Sequence, residues 1–277
     1  MAIRGSTRSS EGRAIATDLS PSAYDAFAPF YDAFTAASDY EAWTEHVLAA
    51  AAGHGLAGDT LLDLACGTGK SFLPFARRGF RVTACDGSAA MLAEAARKTP
   101  QAELLHCDLR ELPVAGSFDL VTCFDDSLNY LLEPGDLLSS FRGMAANLAP
   151  GGVALFDLNT LRAYRTTFAR DSVSDGEGVL FAWRGESTPE LAPGGLAAAS
   201  IEVFAATGDG LYERVVTQHE QRHFPRDEVV ELLGRADLRC VAVHGVLDDG
   251  RLVEPADEDS QLKVLYIARH AEGGGSE

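Results

Sequence analysis

The stretch LLDLACGTGKSF, Leu61 to Phe72, decides the fold, because its glycines admit three incompatible readings. A Walker A loop needs Gly-x-x-x-x-Gly-Lys-Ser/Thr. Counting back from Gly69-Lys70-Ser71, its first glycine falls on Leu64. That position must turn sharply so that successive backbone N–H groups wrap a phosphate, whereas Leu64 continues an apolar strand. The phosphate-loop reading fails. A dinucleotide fingerprint, Gly-x-Gly-x-x-Gly/Ala, is met at Gly67 and Gly69 but has Phe72 where close helix–strand packing wants almost no side chain.

Working outward, short apolar runs alternate with amphipathic stretches. Strands are expected at 60–66, 80–86, 102–108, 117–125 and 151–159, with helices over KSFLPFARRG, SAAMLAEAARK and DLLSSFRGMAANL between them. Strands alternating with helices in this way imply βαβ units and a mostly parallel sheet covered on both faces. After Asn159 the rhythm changes. GVLFAWRGES, GLAAASIEVFAA and LYERVVTQHEQRHF read as strands joined by Gly/Pro-rich turns, which predicts a small antiparallel β insertion at 162–222. PRDEVVELLGRAD then resumes as a helix with Pro225 at its start, followed by two closing strands, LRCVAVHGVLDD and SQLKVLYIARH. The acidic stretch between them, Asp248 to Asp259, is expected to be a solvated hairpin connection. Two helices precede Leu61, around SAYDAFAPFYDAFT and DYEAWTEHVLAAAAGHG. The expected organisation is thus an arm at 1–20, an N-terminal helical segment at 21–56, an α/β domain at 57–161 and 223–270, and the insertion. The tail AEGGGSE is expected to be disordered.

With 46% hydrophobic residues among 277, the chain can bury one elaborated core. No apolar run is long enough to cross a bilayer, and the Ser/Arg-rich first twenty residues lack the apolar core of a secretory signal. Five cysteines without a CxxC pair argue against a zinc module and a disulfide scaffold, and for a reducing, cytoplasmic setting. A formal charge of −18 argues against nucleic acid as a partner, since phosphates require a basic stripe.

Leu61 to Gly69 resembles motif I of class I S-adenosylmethionine-dependent methyltransferases: apolar-apolar-Asp-apolar-Gly/Ala-x-Gly-x-Gly, with Ala65 as the allowed alanine. The resemblance spans about Asp59 to Asn159. It implies an α/β, Rossmann-like fold with a seven-stranded mostly parallel sheet, and S-adenosyl-L-methionine as cofactor, leaving as S-adenosyl-L-homocysteine. Asp63, Ala65, Cys66, Gly67 and Gly69 would then build the cofactor loop. Asp86, followed by Gly87 and Met91, would accept both ribose hydroxyls. Asp108 would bond the adenine amino group, with Cys107 and Leu109 beside it, and Phe124 would cover the adenine or approach the methionine end. These positions follow the carboxyl ends of successive strands, where open α/β sheets bind ligands. A helix cap competes for Asp86 ahead of SAAML. Packing is the reading preferred over a metal cluster for Cys66, Cys85, Cys107 and Cys123.

The acceptor is less legible. The Asn/Asp-Pro-Pro-aromatic motif of nucleic-acid and glutamine methyltransferases is replaced by FDDSLNY. No obvious set of metal-binding carboxylates is present, apart from Asp157 with Asp125 and Asp126. The chain resembles instead the small-molecule subgroup of glycine and amino-sugar N-methyltransferases, through Tyr24-Asp25 and Tyr31-Asp32 in the first helix, DSLNYLL after the fourth strand, and the insertion after the fifth. That resemblance implies a lid in which Tyr24 and Tyr31 reach the cofactor. In QHEQRHF, His219, Gln221 and His223 share one face of a strand while Glu220 and Arg222 share the other. His219, Tyr130 and Asn159 are the catalytic candidates, and Asn129 and Arg222 the substrate-binding ones. The expected activity is methyl transfer to a small molecule, preferentially an amine. An O-methyltransferase, a protein that binds the cofactor without turnover, and a nicotinamide-dependent oxidoreductase using Gly67, Gly69 and Asp86 are the alternatives. Exposed strands of the insertion would allow a homo-oligomer.

Overall fold

Strand β1, Thr60–Leu64, lies between two parallel neighbours, β2 (Arg81–Asp86) and β4 (Phe118–Cys123), so both of its edges are paired. Its alternation splits the core into two layers. Leu62 and Leu64 join Cys85, Val121, Cys123, Phe156 and Tyr266 on one side, while Leu61 joins Ala84, Leu120, Leu155 and Ile267 on the other. This is why the segment reads as a continuous apolar run rather than an alternating one. In this computed structural model residues 21–176, 178–207 and 210–271 are described; the expected arm at 1–20 and the tail beyond Ala271 lie outside the described residues.

Two helices, α1 (Pro21–Phe34) and α2 (Tyr40–Gly53), precede β1. Beyond it come α3 (Leu73–Arg77), β2, α4 (Ala89–Lys98), β3 (Glu103–His106), β4, α5 (Pro134–Asn147) and β5 (Leu148–Asn159). Helix α3 is shorter than its sequence predicts, for residues 70–72 form a turn and Pro74 stands in its first turn. A short α6 (Leu161–Thr166) leads into β6 (Ser172–Gly176), β7 (Val179–Gly185), β8 (Leu196–Ala206) and β9 (Tyr212–Arg222), which form a separate four-stranded antiparallel sheet. The chain closes with α7 (Arg226–Arg235), β10 (Leu238–Val246), β11 (Leu252–Val253) and β12 (Lys263–His270).

The large sheet has the order β11-β10-β12-β5-β4-β1-β2-β3, with β12 antiparallel to β5 and β10. It therefore carries eight strands where seven were expected. The extra one, β11, is two residues long and pairs with Gly245 and Val246 of β10 inside the connection expected to be only a solvated loop. The second sheet likewise has four strands, since Ser172–Gly176 pairs with β7. Its inner face packs Phe181, Ile201 and Val203 against Phe27 and, around it, Tyr24, Phe30, Tyr31 and Phe34 of α1. The stripe of aromatics on α1 thus packs on the small sheet, with Phe27 buried and the others half-buried around it. Strand order reverses between β1 and β4, the place where open α/β sheets leave a crevice at their carboxyl ends.

Phe72 has its explanation here. Gly69 adopts φ +84°, and a Cβ built on it would stand 2.9 Å from Phe72 Cζ and 3.3 Å from Ala95 Cβ. The ring fills the space that a third glycine keeps open in a dinucleotide fold. Gly79 shares the left-handed backbone (φ +93°) with nothing within 4 Å of such a Cβ. Gly69→Ala is therefore expected to cost about 1–3 kcal/mol more than Gly79→Ala, because only the former adds overpacking to backbone strain. Urea denaturation of the two variants side by side checks this, and equal losses would refute the packing role of Gly69.

Candidate active site

A cavity of about 690 Å³ opens at the crevice, between the loop after β1, the ends of β2 and β3, the segment after β4, and helix α1. Of the sequence-based candidates, Tyr24, Tyr31, Ala65, Gly67, Asp86, Gly87, Met91, Cys107, Asp108, Leu109 and Tyr130 line it. Asp63, Cys66, Gly69 and Phe124 do not, and neither do Asn129, Asn159, His219 and Arg222.

The loop is shaped by Asp63. Its carboxylate is 1% exposed and accepts from the Ser71 hydroxyl at 2.6 Å and the Thr122 hydroxyl at 2.5 Å. Burial pushes its pKa up to about 7, with the two hydroxyls opposing. Asp63 positions the loop from beneath rather than facing the cavity. Cys66 is buried against the β1 core, and Phe124 packs edge-on against Trp43 at 5.4 Å. Lys70 and Ser71, the residues that mimic a phosphate loop, are committed elsewhere. Lys70 Nζ donates to the Thr35 carbonyl at 2.8 Å and to Thr35 Oγ1 at 2.9 Å, at the end of α1.

One end of the cavity presents Asp86. Its two oxygens accept from the Gly67 and Ser88 N–H groups, each at 2.8 Å. Burial raises its pKa, and the two N–H groups pull it back. Asp108 is held below the usual carboxylate range by Arg110, whose Nε lies 3.0 Å from both of its oxygens. A Cβ on Gly67 would stand 3.7 Å from Tyr31 Cε1, so the glycine (φ +53°) leaves the slot between loop and α1 open. A carboxylate for a diol, a backbone floor, and walls of Met91 and Leu109 fit an adenosyl group.

The other end is aromatic and acidic. Tyr24 meets Tyr130 edge-on at 5.7 Å and His219 at 5.6 Å. Behind them, His219 Nδ1 is 2.9 Å from the Tyr130 hydroxyl and Nε2 is 2.9 Å from Thr217 Oγ1. Burial lowers the His219 pKa to about 4, so the ring is neutral near pH 7. Burial also holds Tyr24, Tyr31 and Tyr130 above the ordinary phenol range. Asp125 lines the same end and accepts from the Tyr40 hydroxyl at 2.8 Å.

Asp125 and Asp126 both take left-handed backbone (φ 58° and 52°), and their N–H groups donate to Asp157 at 3.0 and 2.6 Å. The carboxylates that sequence alone leaves open to a metal converge instead on an ammonium. Lys263 Nζ lies 2.7 Å from Asp126 and 3.7 Å from Asp157. Burial opposes its charge, but the carboxylates outweigh that and keep its pKa raised. Asn129 and Asn159 belong to the adjoining network. Gln221 donates to Asp126 at 2.6 Å, Asn159 donates to Gln221 at 3.0 Å, and Asn129 accepts from the Asn159 N–H at 3.0 Å while donating to the Arg222 carbonyl at 2.8 Å. The Asn129 amide is engaged by backbone at both ends, and the Asn159 amide nitrogen by Gln221. Arg222 turns away, its guanidinium over Phe224 at 5.5 Å and 3.7 Å from Glu228. Sequence reasoning missed Lys263, whose one signal is a cation at the head of an apolar strand, and the clamp of α1 onto the loop. In that clamp the Thr68 hydroxyl donates to Asp32 at 2.5 Å, Lys98 pairs with Asp32, and the Ser88 hydroxyl donates to Asp25.

Comparison with known proteins agrees with this fold. A methyltransferase domain family matches residues 61–152. YqeM of Bacillus subtilis (strain 168), itself only provisionally named a methyltransferase, is 31% identical over 245 residues, 86% of this chain and 94% of its own. The dTDP-3-amino-3,6-dideoxy-alpha-D-glucopyranose N,N-dimethyltransferase of Streptomyces fradiae is 31% identical over 154 residues, 50% of this chain and 60% of its own. The crystal structure of an S-adenosylmethionine-dependent methyltransferase from Clostridium acetobutylicum ATCC 824 superposes with a TM-score of 0.75 at 26% identity, covering 90% of this chain and 99% of that one.

His219 makes a prediction about pH. Below about pH 6.5 the unfolded imidazole takes up a proton that the folded ring refuses until about pH 4, so folding loses up to about 1.4 kcal/mol per pH unit across that window. His219→Gln removes this loss. Between about pH 7.5 and 5.5 the variant should lose roughly 1 kcal/mol less stability than the parent in urea denaturation. Equal losses would mean that His219 is not buried in its neutral form.

Proposed function

The chain belongs to the S-adenosylmethionine-dependent methyltransferases, and we propose that its acceptor is the amine of a small molecule. The carrying observation is the chemistry of the acceptor end. Among the described residues there, burial keeps three tyrosines protonated and leaves His219, at a pKa of about 4, too weak a base to ionise a hydroxyl. A neutral amine carries its lone pair already. The name of the Streptomyces fradiae relative, a sugar N,N-dimethyltransferase, supports the same reading.

S-adenosylmethionine when bound supplies a methyl group on a sulfonium, which a nitrogen lone pair takes with release of S-adenosylhomocysteine. In this proposal Ala65, Gly67, Asp86, Gly87, Met91, Cys107, Asp108 and Leu109 hold it, with Asp86 on the ribose diol. Tyr31, facing Gly67 from α1, and Tyr24 close the cavity as a lid, so that the reacting groups meet out of water. Tyr130 touches the acceptor, and His219 fixes the direction of its hydroxyl from behind as a positioning residue. We place the enzyme in the cytoplasm, in keeping with five cysteines that are all free thiols. No helix of the described residues is long and apolar enough to cross a membrane. The edge of β6 is where a second copy would add, and a solution mass of a monomer would remove that part of the proposal.

Turnover of a panel of amines and matched alcohols, with mass and NMR assignment of the methylated atom, tests the reading. Methylated nitrogen is expected, and methylation confined to oxygen would overturn it. Asp86→Ala should weaken S-adenosylhomocysteine binding about thirtyfold, the loss of about 2 kcal/mol of hydrogen bonding to a charged acceptor. Tyr130→Phe should lower kcat about tenfold while leaving that binding intact.

A further inference from the structure

The charges around the cavity distinguish among amines. Five carboxylates line it, those of Asp86, Asp108, Asp125, Glu133 and Asp136, against one guanidinium, that of Arg110. Arg110 is spent on Asp108, with its Nε 3.0 Å from both oxygens and Nη2 2.5 Å from one. The nearby ammonium groups are committed as well. Lys70 holds the end of α1 through Thr35, and Lys263 stands among Asp125, Asp126 and Asp157, three carboxylates to its single charge. The carboxylates lining the cavity thus outnumber its one guanidinium, which is itself paired, and the aromatic end carries an excess of negative charge.

Resting on the amine reading, we propose that the acceptor enters as an ammonium ion, gives its proton to solvent before its freed lone pair takes the methyl group, and carries no phosphate. Asp125 is the group it meets, with the Tyr24 and Tyr130 rings as walls. The field that draws in a cation repels a pyrophosphate, because like charges set against each other in a crevice with low-dielectric walls cost more than they would in water. A nucleoside diphosphate-linked amino sugar, the acceptor named for the Streptomyces fradiae relative, is therefore the wrong chemistry for this chain. An unlinked amino sugar or another small amine is the right one.

The test uses the whole chain saturated with S-adenosylhomocysteine and titrated calorimetrically with three probes: glucosamine, UDP-glucosamine and glucose. Glucosamine should bind at least about tenfold more tightly than either of the others. Its affinity should fall several-fold from about 0.05 to 0.5 M salt, as screening of an attractive pair requires. Asp125→Asn should remove most of glucosamine's advantage over glucose, with S-adenosylhomocysteine titration of the same variant showing that its site is folded. Tighter binding of UDP-glucosamine would overturn this proposal while leaving the amine reading in place. Glucose binding as well as glucosamine, or no binding by glucosamine and the amines of the turnover panel, would overturn both.

Discussion

Asp63 lies inside the molecule, one oxygen accepting from Ser71 of the loop and the other from Thr122 of β4. It is almost wholly shielded from bulk solvent, and these two hydroxyls supply compensation that a buried carboxyl requires. Through them β1, the turn behind it and the neighbouring strand are tied at one point. The backbone between then has to reverse within a few residues, and does so through left-handed positions at Ala65, Gly67 and Gly69. Two of the three are glycine, for which that conformation carries no steric penalty. The loop's contact with Asp86, through the Gly67 N–H, follows from this turn. A carboxylate that does not line the cavity thus decides where the cavity-facing backbone can stand.

The acceptor end depends on a second buried polar group. Lys263 gathers Asp126, after β4, and Asp157, within β5, and Gln221 reaches Asp126 from β9 of the small sheet. The polar chain from Gln221 through Asn159 to Asn129 continues that junction. Each member has partners, which is the condition under which a buried polar network fixes a geometry rather than loosening it. The small sheet is thereby referenced to the large one by directional bonds, while Phe27 and its neighbours fill the space between by apolar contact.

Much of the cofactor end was legible in the chain because its signals are local. A strand of given length, its terminal carboxylate and the small residues after it lie within one βα unit, and Gly67, Asp86, Asp108 and Leu109 all line the cavity. Asp63 shows where that reasoning fails. Successive strand residues face opposite ways, and the turn, not the motif, settles which of them meets the cavity. Period-two reading put His219, Gln221 and His223 on one face, and they are 2%, 0% and 3% exposed. It could not tell that His219 packs on α1 and Tyr130, Gln221 on Asn159 and Asp126, and His223 on Tyr164. Arg222 on the opposite face lies over Phe224 and near Glu228. The two-residue β11 was too short to leave any periodic trace.

The sequence by itself determined the parallel α/β core, the glycine loop, the strand-end carboxylates and the antiparallel character of the insertion. Each of these follows from periodicity and turn chemistry over a few adjacent residues. Only the tertiary structure decided that Lys70 clasps a helix rather than a phosphate, that three aspartates surround Lys263, and that Asn129, Asn159 and His219 stand behind the cavity wall. Those outcomes pair residues far apart along the chain, and long-range pairing is set by how sheets and helices pack, which no local pattern encodes.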